Sequence, residues 1–209
     1  MVKGTPERIA GRQEEIVNAC ERLYQTMSFK EITIREIGNA VPFSRPTIYN
    51  YFQTKEEIFL ALYQREYDRW NGDLAAILDG HDALSAGQLA EAIAGSLAKR
   101  EQLLKLLAMN NYDMEANSRQ ERLTAFKTSY GNSLRLMRRL LEKFRPEMTD
   151  GDIRQFLYMF FPFMFGIYPY TAVTGKQRAA MRAAGVDYVY QSIYELTRSC
   201  LVRLLGEPA

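Results

Sequence analysis

Residues 33–55 gather side chains suited to a phosphate backbone and to base edges: Thr33, Ser44, Arg45, Pro46, Thr47, Tyr49, Asn50, Tyr51 and Lys55. Arg45 carries five fixed donors, which match guanine O6 and N7 or a phosphate. Thr47 is short enough to touch a thymine methyl or a phosphate oxygen. Tyr49 and Tyr51 offer hydroxyls, and Asn50 stands beside them. Lys55 opens a long helical pattern, where free backbone amides already favour a phosphate, and Thr33 sits at another helix start. Taken singly, each of these residues reads more simply as a solvated side chain. Thr33 and Thr54 are explained as caps, and the run Tyr49–Phe52 alone reads as core. Only the joint order and spacing point to DNA, where phosphate contacts position a protein and base contacts specify its site.

The elements that must position these residues are legible. Thr33 with Glu36 three residues on predicts a capping box, and Ile34, Ile37 and Val41 form an inner stripe. Pro42 stops that helix after about two turns, because the residue before a proline is biased away from helix. Ser44 is expected to cap a second short helix, with Pro46 tolerated in its first turn. Ile48 faces back onto the inner stripe, and Tyr49, Asn50 and Tyr51 are expected outside. Two short helices across a turn of about three residues form a helix-turn-helix, which presents the start of its second helix to the major groove. Thr54 and Glu57 predict a further capping box ahead of a helix running from Lys55 to about Leu78.

The stretch resembles the DNA-binding domain of the TetR family of bacterial transcriptional regulators. The residues that carry the resemblance are Phe29, Thr33-Ile34-Arg35-Glu36-Ile37, Ser44, Thr47 to Phe52, and Lys55-Glu56-Glu57-Ile58-Phe59. It covers roughly the first sixty residues in motif and the rest in architecture. Val41-Pro42-Phe43 and Pro46 depart from the family's small and glycine residues, so base preference does not transfer. The resemblance implies a C-terminal region that binds a small molecule and forms a homodimer, and phosphate contacts by the two tyrosines.

The remainder reads as helix, with no sustained apolar/polar alternation between hairpin turns. Thr5, Pro6 and Glu7 start the first helix cleanly. Helices are expected at about 85–97, 99–113, 118–144, 150–173 and 178–205, making about nine in an all-α, homodimeric chain. We expect an N-terminal three-helix domain over 1–53 carrying the helix-turn-helix, and a C-terminal helical bundle over 54–209 for ligand binding and dimerisation. Met109, Asn110, Tyr112, Phe126, Tyr130, Met137, Phe160 and Met164 are candidate ligand residues, since methionine and aromatics suit apolar pockets. Asn111 and Asp113 would add polar anchors. Each also reads as ordinary core or turn. For dimerisation, Val186, Val189, Ile193, Leu196, Cys200 and Leu204 make one stripe of the last helix, with Tyr190, Tyr194 and Leu201 beside it.

Composition bounds the alternatives. The chain has 209 residues, 47% of them hydrophobic, which supports a sizeable core. Its net charge of +2 argues against a nucleoid protein. Residues 1–56 hold eight Lys/Arg and seven Asp/Glu, so bulk charge does not itself argue for DNA. An enzyme or carrier on a helical bundle is the competing class. It lacks support: His81 is the only histidine, and no Glu-x-x-His pair, Walker loop, zinc spacing or nucleophile elbow is present. No cofactor and no metal are expected. Cys20 and Cys200 read as reduced thiols of a cytoplasmic protein. The run Phe156–Val173 approaches the roughly 20 residues of a membrane span. It contains Pro162, Gly166 and Pro169, and a core or interface helix is the expectation. The partners expected are a double-stranded DNA operator, a second copy and an unknown small-molecule effector, with no membrane.

Overall fold

A computed structural model describes residues 5–109 and 111–206, and for 111–113 the backbone alone. Eleven helices occur among the described residues: α1 (Pro6–Thr26), α2 (Ile34–Asn39), α3 (Arg45–Tyr49), α4 (Lys55–Gly80), α5 (Ala86–Ala98), α6 (Glu101–Leu107), α7 (Asn111–Ala116), α8 (Gln120–Phe144), α9 (Asp150–Thr171), α10 (Gly175–Ala183) and α11 (Ile193–Leu204). The chain is all-α, as expected, but two anticipated helices are each broken in two. The stretch 99–113 divides into α6 and α7. The stretch 178–205 divides into α10 and α11, because Gly185 takes a left-handed φ of 68° and ends α10. Its amide donates to Arg182 and that of Val186 to Met181, a helix stop that a glycine at this position favours. Val186 and Val189 therefore lie outside any helix and are exposed, not part of a stripe.

The chain forms two compact units. The first comprises residues 1–65 and 110–129, the second 66–109 and 130–209.

In the first unit, α1 starts on Thr5, whose hydroxyl accepts from the Arg8 amide at 3.4 Å. Its inner side, Ile16, Ala19, Cys20 and Tyr24, is buried, and so are Ile32, Ile37, Ile48, Phe52, Ile58, Phe59 and Leu62. Each large side chain so buried is worth roughly 1.5–3 kcal/mol over an exposed one. Tyr24 and Phe29 both meet the Phe59 ring edge-on, at centroid distances of 5.2 and 4.8 Å. The core thus joins α1 and the turn after it to α4. Arg65 adds a tie to the same end of α1 through Glu21 at 2.6 Å.

In the second unit Trp70 is fully buried and donates its indole N–H to the Ser96 hydroxyl at 3.0 Å. Arg100 grips Asp73 through two nitrogens at 2.6 and 2.8 Å. Lys143 closes the end of α4 by donating to the Leu78 and His81 carbonyls. Helix α11 packs on α5 and α9, and α6 packs on α9. Thr149 and Asp152 form the capping box that opens α9. That helix buries Ile153, Phe156, Leu157, Phe160, Phe161, Met164 and Ile167, and exposes Tyr158, Met159, Phe165 and Tyr170. Among the described residues no single helix is long and apolar enough to cross a membrane. Only α9 and α10 together pass, and they are bent by 86°.

Candidate nucleic-acid interface

Helices α2 and α3 pack through Ile37 and Ile48, both fully buried. Thr33 caps α2, its hydroxyl accepting from the Arg35 and Glu36 amides at 3.2 and 3.4 Å. The same hydroxyl donates to the Glu36 carboxylate. Ser44 stands at the cap position of α3 but makes no capping bond to the backbone. Its hydroxyl pairs instead with that of Thr47 at 3.1 Å. The turn between the helices is held from α1. Arg12 lies over the Phe43 ring at 4.4 Å, and Arg22 donates to the Ala40 carbonyl at 3.4 Å.

Two residues come close where α2 meets α3. A Cβ on Gly38 would stand 2.6 Å from Arg45 Cγ, closer than such atoms tolerate. A side chain at position 38 would therefore force the Arg45 side chain to move. Arg45 itself is exposed and makes no ion pair among the described residues, so its guanidinium is available. Ser44, Pro46, Tyr49 and Asn50 are exposed beside it, Tyr49 at 55%, and Thr47 is half-buried.

Tyr51 departs from expectation. It is only 9% exposed, because the chain turns after Tyr49 and both the Tyr51 and Phe52 amides donate to the Ile48 carbonyl. The signal was in the spacing: Tyr51 and Phe52 follow the inward Ile48 by three and four residues. Lys55 also differs. Its ammonium donates to the Phe29 and Ile32 carbonyls at 2.8 and 3.2 Å and lies 4.1 Å over the Phe29 ring. The turn after α1 thus takes two of its three donors.

Glu57 does not close the expected capping box with Thr54. The Thr54 hydroxyl accepts from the Glu57 amide, but the Glu57 carboxylate reaches the Gln53 amide at 2.8 Å and, further away in sequence, Arg119. Arg119 was not anticipated as a functional residue, and no local pattern marks it. Glu57 is fully buried. Burial alone would push its carboxyl up. The hydrogen bonds from Arg119 and Gln53 and the guanidinium charge outweigh that and hold it below the usual carboxylate range.

The expected ligand residues fall in different places. Phe126 belongs to the first unit and lies against Tyr63 with ring centroids 4.7 Å apart and planes tilted by 36°. Met137, Phe160 and Met164 are fully buried in the second, where Tyr130 meets Tyr67 and Phe161 edge-on at 5.6 and 5.7 Å. Met109 is half-buried. Asn110 and the side chains of Asn111, Tyr112 and Asp113 lie outside the described residues. A half-open cavity of about 410 Å³ lies elsewhere in the second unit, lined by Pro169, Tyr170, Val173, Gln177, Met181, Tyr188 and Tyr190. No group of three or more metal-ligating side chains occurs among the described residues.

The all-helical fold and the α2–α3 pair define a helix-turn-helix protein. Residues 16–62 match the family described as bacterial regulatory proteins, tetR family, and residues 64–197 match the tetracyclin repressor-like C-terminal domain. The chain therefore belongs to the tetR family of bacterial regulators. It is 37% identical over 51 residues to the HTH-type transcriptional regulator EthR of Mycolicibacterium smegmatis, covering 24% of each chain. It is 26% identical over 69 residues to an HTH-type transcriptional repressor of Mycobacterium tuberculosis, covering 33% of this chain and 37% of that one. These matches span well under two thirds of either relative. The fold as a whole is similar to that of the transcriptional regulator FadR from Bacillus subtilis, solved in complex with stearoyl-CoA. The TM-score is 0.61 at 16% identity, over 94% of this chain and 99% of that one.

Proposed function

We propose that this chain is a sequence-specific transcriptional repressor, not an enzyme, that reads a palindromic operator as a homodimer in the cytoplasm and is released by a small apolar effector. The observation that carries this reading is the exposed tip of α3. Ser44, Arg45, Pro46, Tyr49 and Asn50 are exposed along this short helix and its two ends, while Ile48 on its inner side is buried. In this reading Arg45 contacts a base or phosphate and Tyr49 a phosphate, while Thr33 and the remaining donor of Lys55 touch the backbone. The functional boundary we propose lies at 53/54, with residues 1–53 reading DNA and 54–209 serving ligand and dimer.

The exposed apolar side of α9, Tyr158, Met159, Phe165 and Tyr170, together with Tyr194 on α11, supports a two-fold interface. The buried Met137, Phe160 and Met164 and the half-buried Tyr130 of the second unit support an apolar effector, and the stearoyl-CoA held by the Bacillus subtilis protein adds long-chain acyl groups to those worth testing.

Selection of bound duplexes from a random library by the full chain tests the reading. Enrichment of a palindrome with half-site centres about 34–36 Å apart is expected. Recovery of no common sequence overturns it. Effector release is tested by thermal shift with acyl-CoAs and with small aromatic compounds, each hit then being titrated against the selected operator. Hits that stabilise the protein and leave operator affinity untouched overturn that part.

A further inference from the structure

The carbonyl of Tyr51 marks where the chain leaves the reading helix. It accepts from two guanidinium groups that lie 68 and 71 residues downstream: Arg119 Nη2 at 3.2 Å and Arg122 Nη2 at 2.9 Å. Both belong to the same compact unit as α3. Arg119 is itself anchored. Its Nε and Nη2 fork onto the two Glu57 oxygens at 2.7 and 2.8 Å, and its own amide donates to Glu57 at 3.0 Å. With the Gln53 amide, this gives the buried carboxylate four donors, which fills its acceptor capacity. The Thr54 hydroxyl adds a strut by donating to the Asn117 carbonyl at 2.9 Å. Residues 117–122 thus hold 51–57 from outside the helix-turn-helix.

Arg122 makes the arrangement costly. It has no carboxylate of its own among the described residues, its Nε is buried without a hydrogen-bond partner, and its guanidinium lies 4.7 Å over the Phe52 ring. The two guanidinium groups share the Tyr51 carbonyl, and only Arg119 has direct carboxylate partners, the buried Glu57 and the exposed Glu121 at 3.2 Å. Apolar packing would fasten a helix end at lower cost, since buried charges lose their hydration. What the charged arrangement adds is direction: a planar fork and a doubly accepting carbonyl admit one orientation.

We propose that Arg119 and Arg122 are positioning residues for DNA reading, which set the exit of α3, and with it the presentation of Arg45 and Tyr49, by gripping the Tyr51 carbonyl. The inference rests on the reading of α3 as the DNA-reading helix. It adds two residues outside the motif that act through the backbone and not by touching DNA.

The test uses the full chain with Arg122→Met, which keeps the apolar stem and loses the donors, and Arg119→Lys, which keeps the charge and loses the fork. Thermal unfolding identifies the folded variants. Arg122→Met, which forfeits only one direct bond, keeps the test alive if Arg119→Lys fails to fold. Affinity is measured for the palindrome selected by the wild type and for a random duplex of equal length. The expected result is at least a tenfold loss on the palindrome, with random-duplex affinity and its salt slope unchanged. Amide hydrogen exchange at residues 51–53 should be faster. Wild-type affinity for the palindrome in a folded variant overturns the proposal. So does a parallel loss on both duplexes with a shallower salt slope, which marks direct phosphate contacts. If the wild type selects no sequence, the regulator reading falls, and the exchange rates at 51–53 separately decide whether the grip exists.

Discussion

Arg119 meets the carboxylate of Glu57 as a two-pronged fork, with nitrogen–oxygen distances of 2.7 and 2.8 Å, and Glu57 is wholly buried. The pair joins the start of α4 to the residue just before α8. Lys55 and Glu56 precede Glu57, and Ser118 and Gln120 flank Arg119, so both residues pass for surface in the sequence and the relationship emerges only in three dimensions.

This fork gives the protein an acid limb of stability. The folded-state pKa of Glu57 lies below the usual carboxylate value of 4.5. Its contribution is therefore complete above the unfolded carboxylate range and is lost as pH falls through the folded value. Unfolding monitored from pH 7 down to pH 3 should show stability falling below about pH 4.5, less steeply in Glu57→Gln. Arg119→Ala at pH 7 leaves a buried carboxylate without its cation and should cost about 3 kcal/mol. The partial exposure of Arg119 draws the figure toward the lower end of the range for buried pairs.

Gly38→Ala should damage DNA reading more than folding. The new methyl meets Arg45 Cγ, so the arginine must change rotamer at roughly 0.5–1.5 kcal/mol. Alanine is also the better helix former by about 1 kcal/mol, which offsets that strain in the free protein. Melting temperature should change little, while affinity for the selected palindrome falls. Wild-type affinity in this variant would show that Arg45 has room to spare.

Arg45 and Lys55 should separate by their signatures. Arg45→Ala should weaken specific binding by about 1–3 kcal/mol and leave thermal stability unchanged. Lys55→Ala removes two hydrogen bonds to carbonyls and a cation–ring contact, so its stability should drop by about 1–3 kcal/mol. One phosphate contact through the remaining donor would also lower the salt slope of binding by about one unit. Calorimetry and salt-dependent binding isotherms report the two effects separately.

The dimer prediction shifts with the structure. Leu201, expected beside the dimerisation stripe, is fully buried, so a charge there would disrupt the fold and not the assembly. Tyr158, 74% exposed, and Tyr194 are the better probes. The double variant Tyr158→Arg, Tyr194→Arg should remain folded and scatter light as a monomer at micromolar concentration. A dimer in that variant would place the interface elsewhere.

Local chemistry was readable from the sequence, and distant chemistry was not. The caps at Thr5 and Thr33 and the burial of Ile37 and Ile48 follow from short-range spacing and stand as expected, although the Glu36 carboxylate takes the Thr33 hydroxyl and not its amide, so that capping box is only half made. The break at Gly185 was also local but was outweighed by the apolar residues around it, which merely resemble a continued stripe. The burial of Tyr51 was hidden because its type suited a DNA surface as well as a core. The Glu57–Arg119 pair spans 62 residues and has no periodicity to betray it. The engagement of Lys55 by carbonyls at 29 and 32 depends on how a turn folds back, which no pattern of residue types specifies.

The first compact unit is assembled from two separate stretches of chain, 1–65 and 110–129. During synthesis its helix-turn-helix leaves the ribosome well before Arg119 and Arg122 exist. At roughly 5–20 residues per second, the intervening 66–109 impose a wait on the order of seconds. Over that interval Glu57 has no guanidinium to meet and the Tyr51 carbonyl has neither of its donors. In a nascent chain the bonds to Glu57 and the Tyr51 carbonyl thus close only once part of α8 has been made.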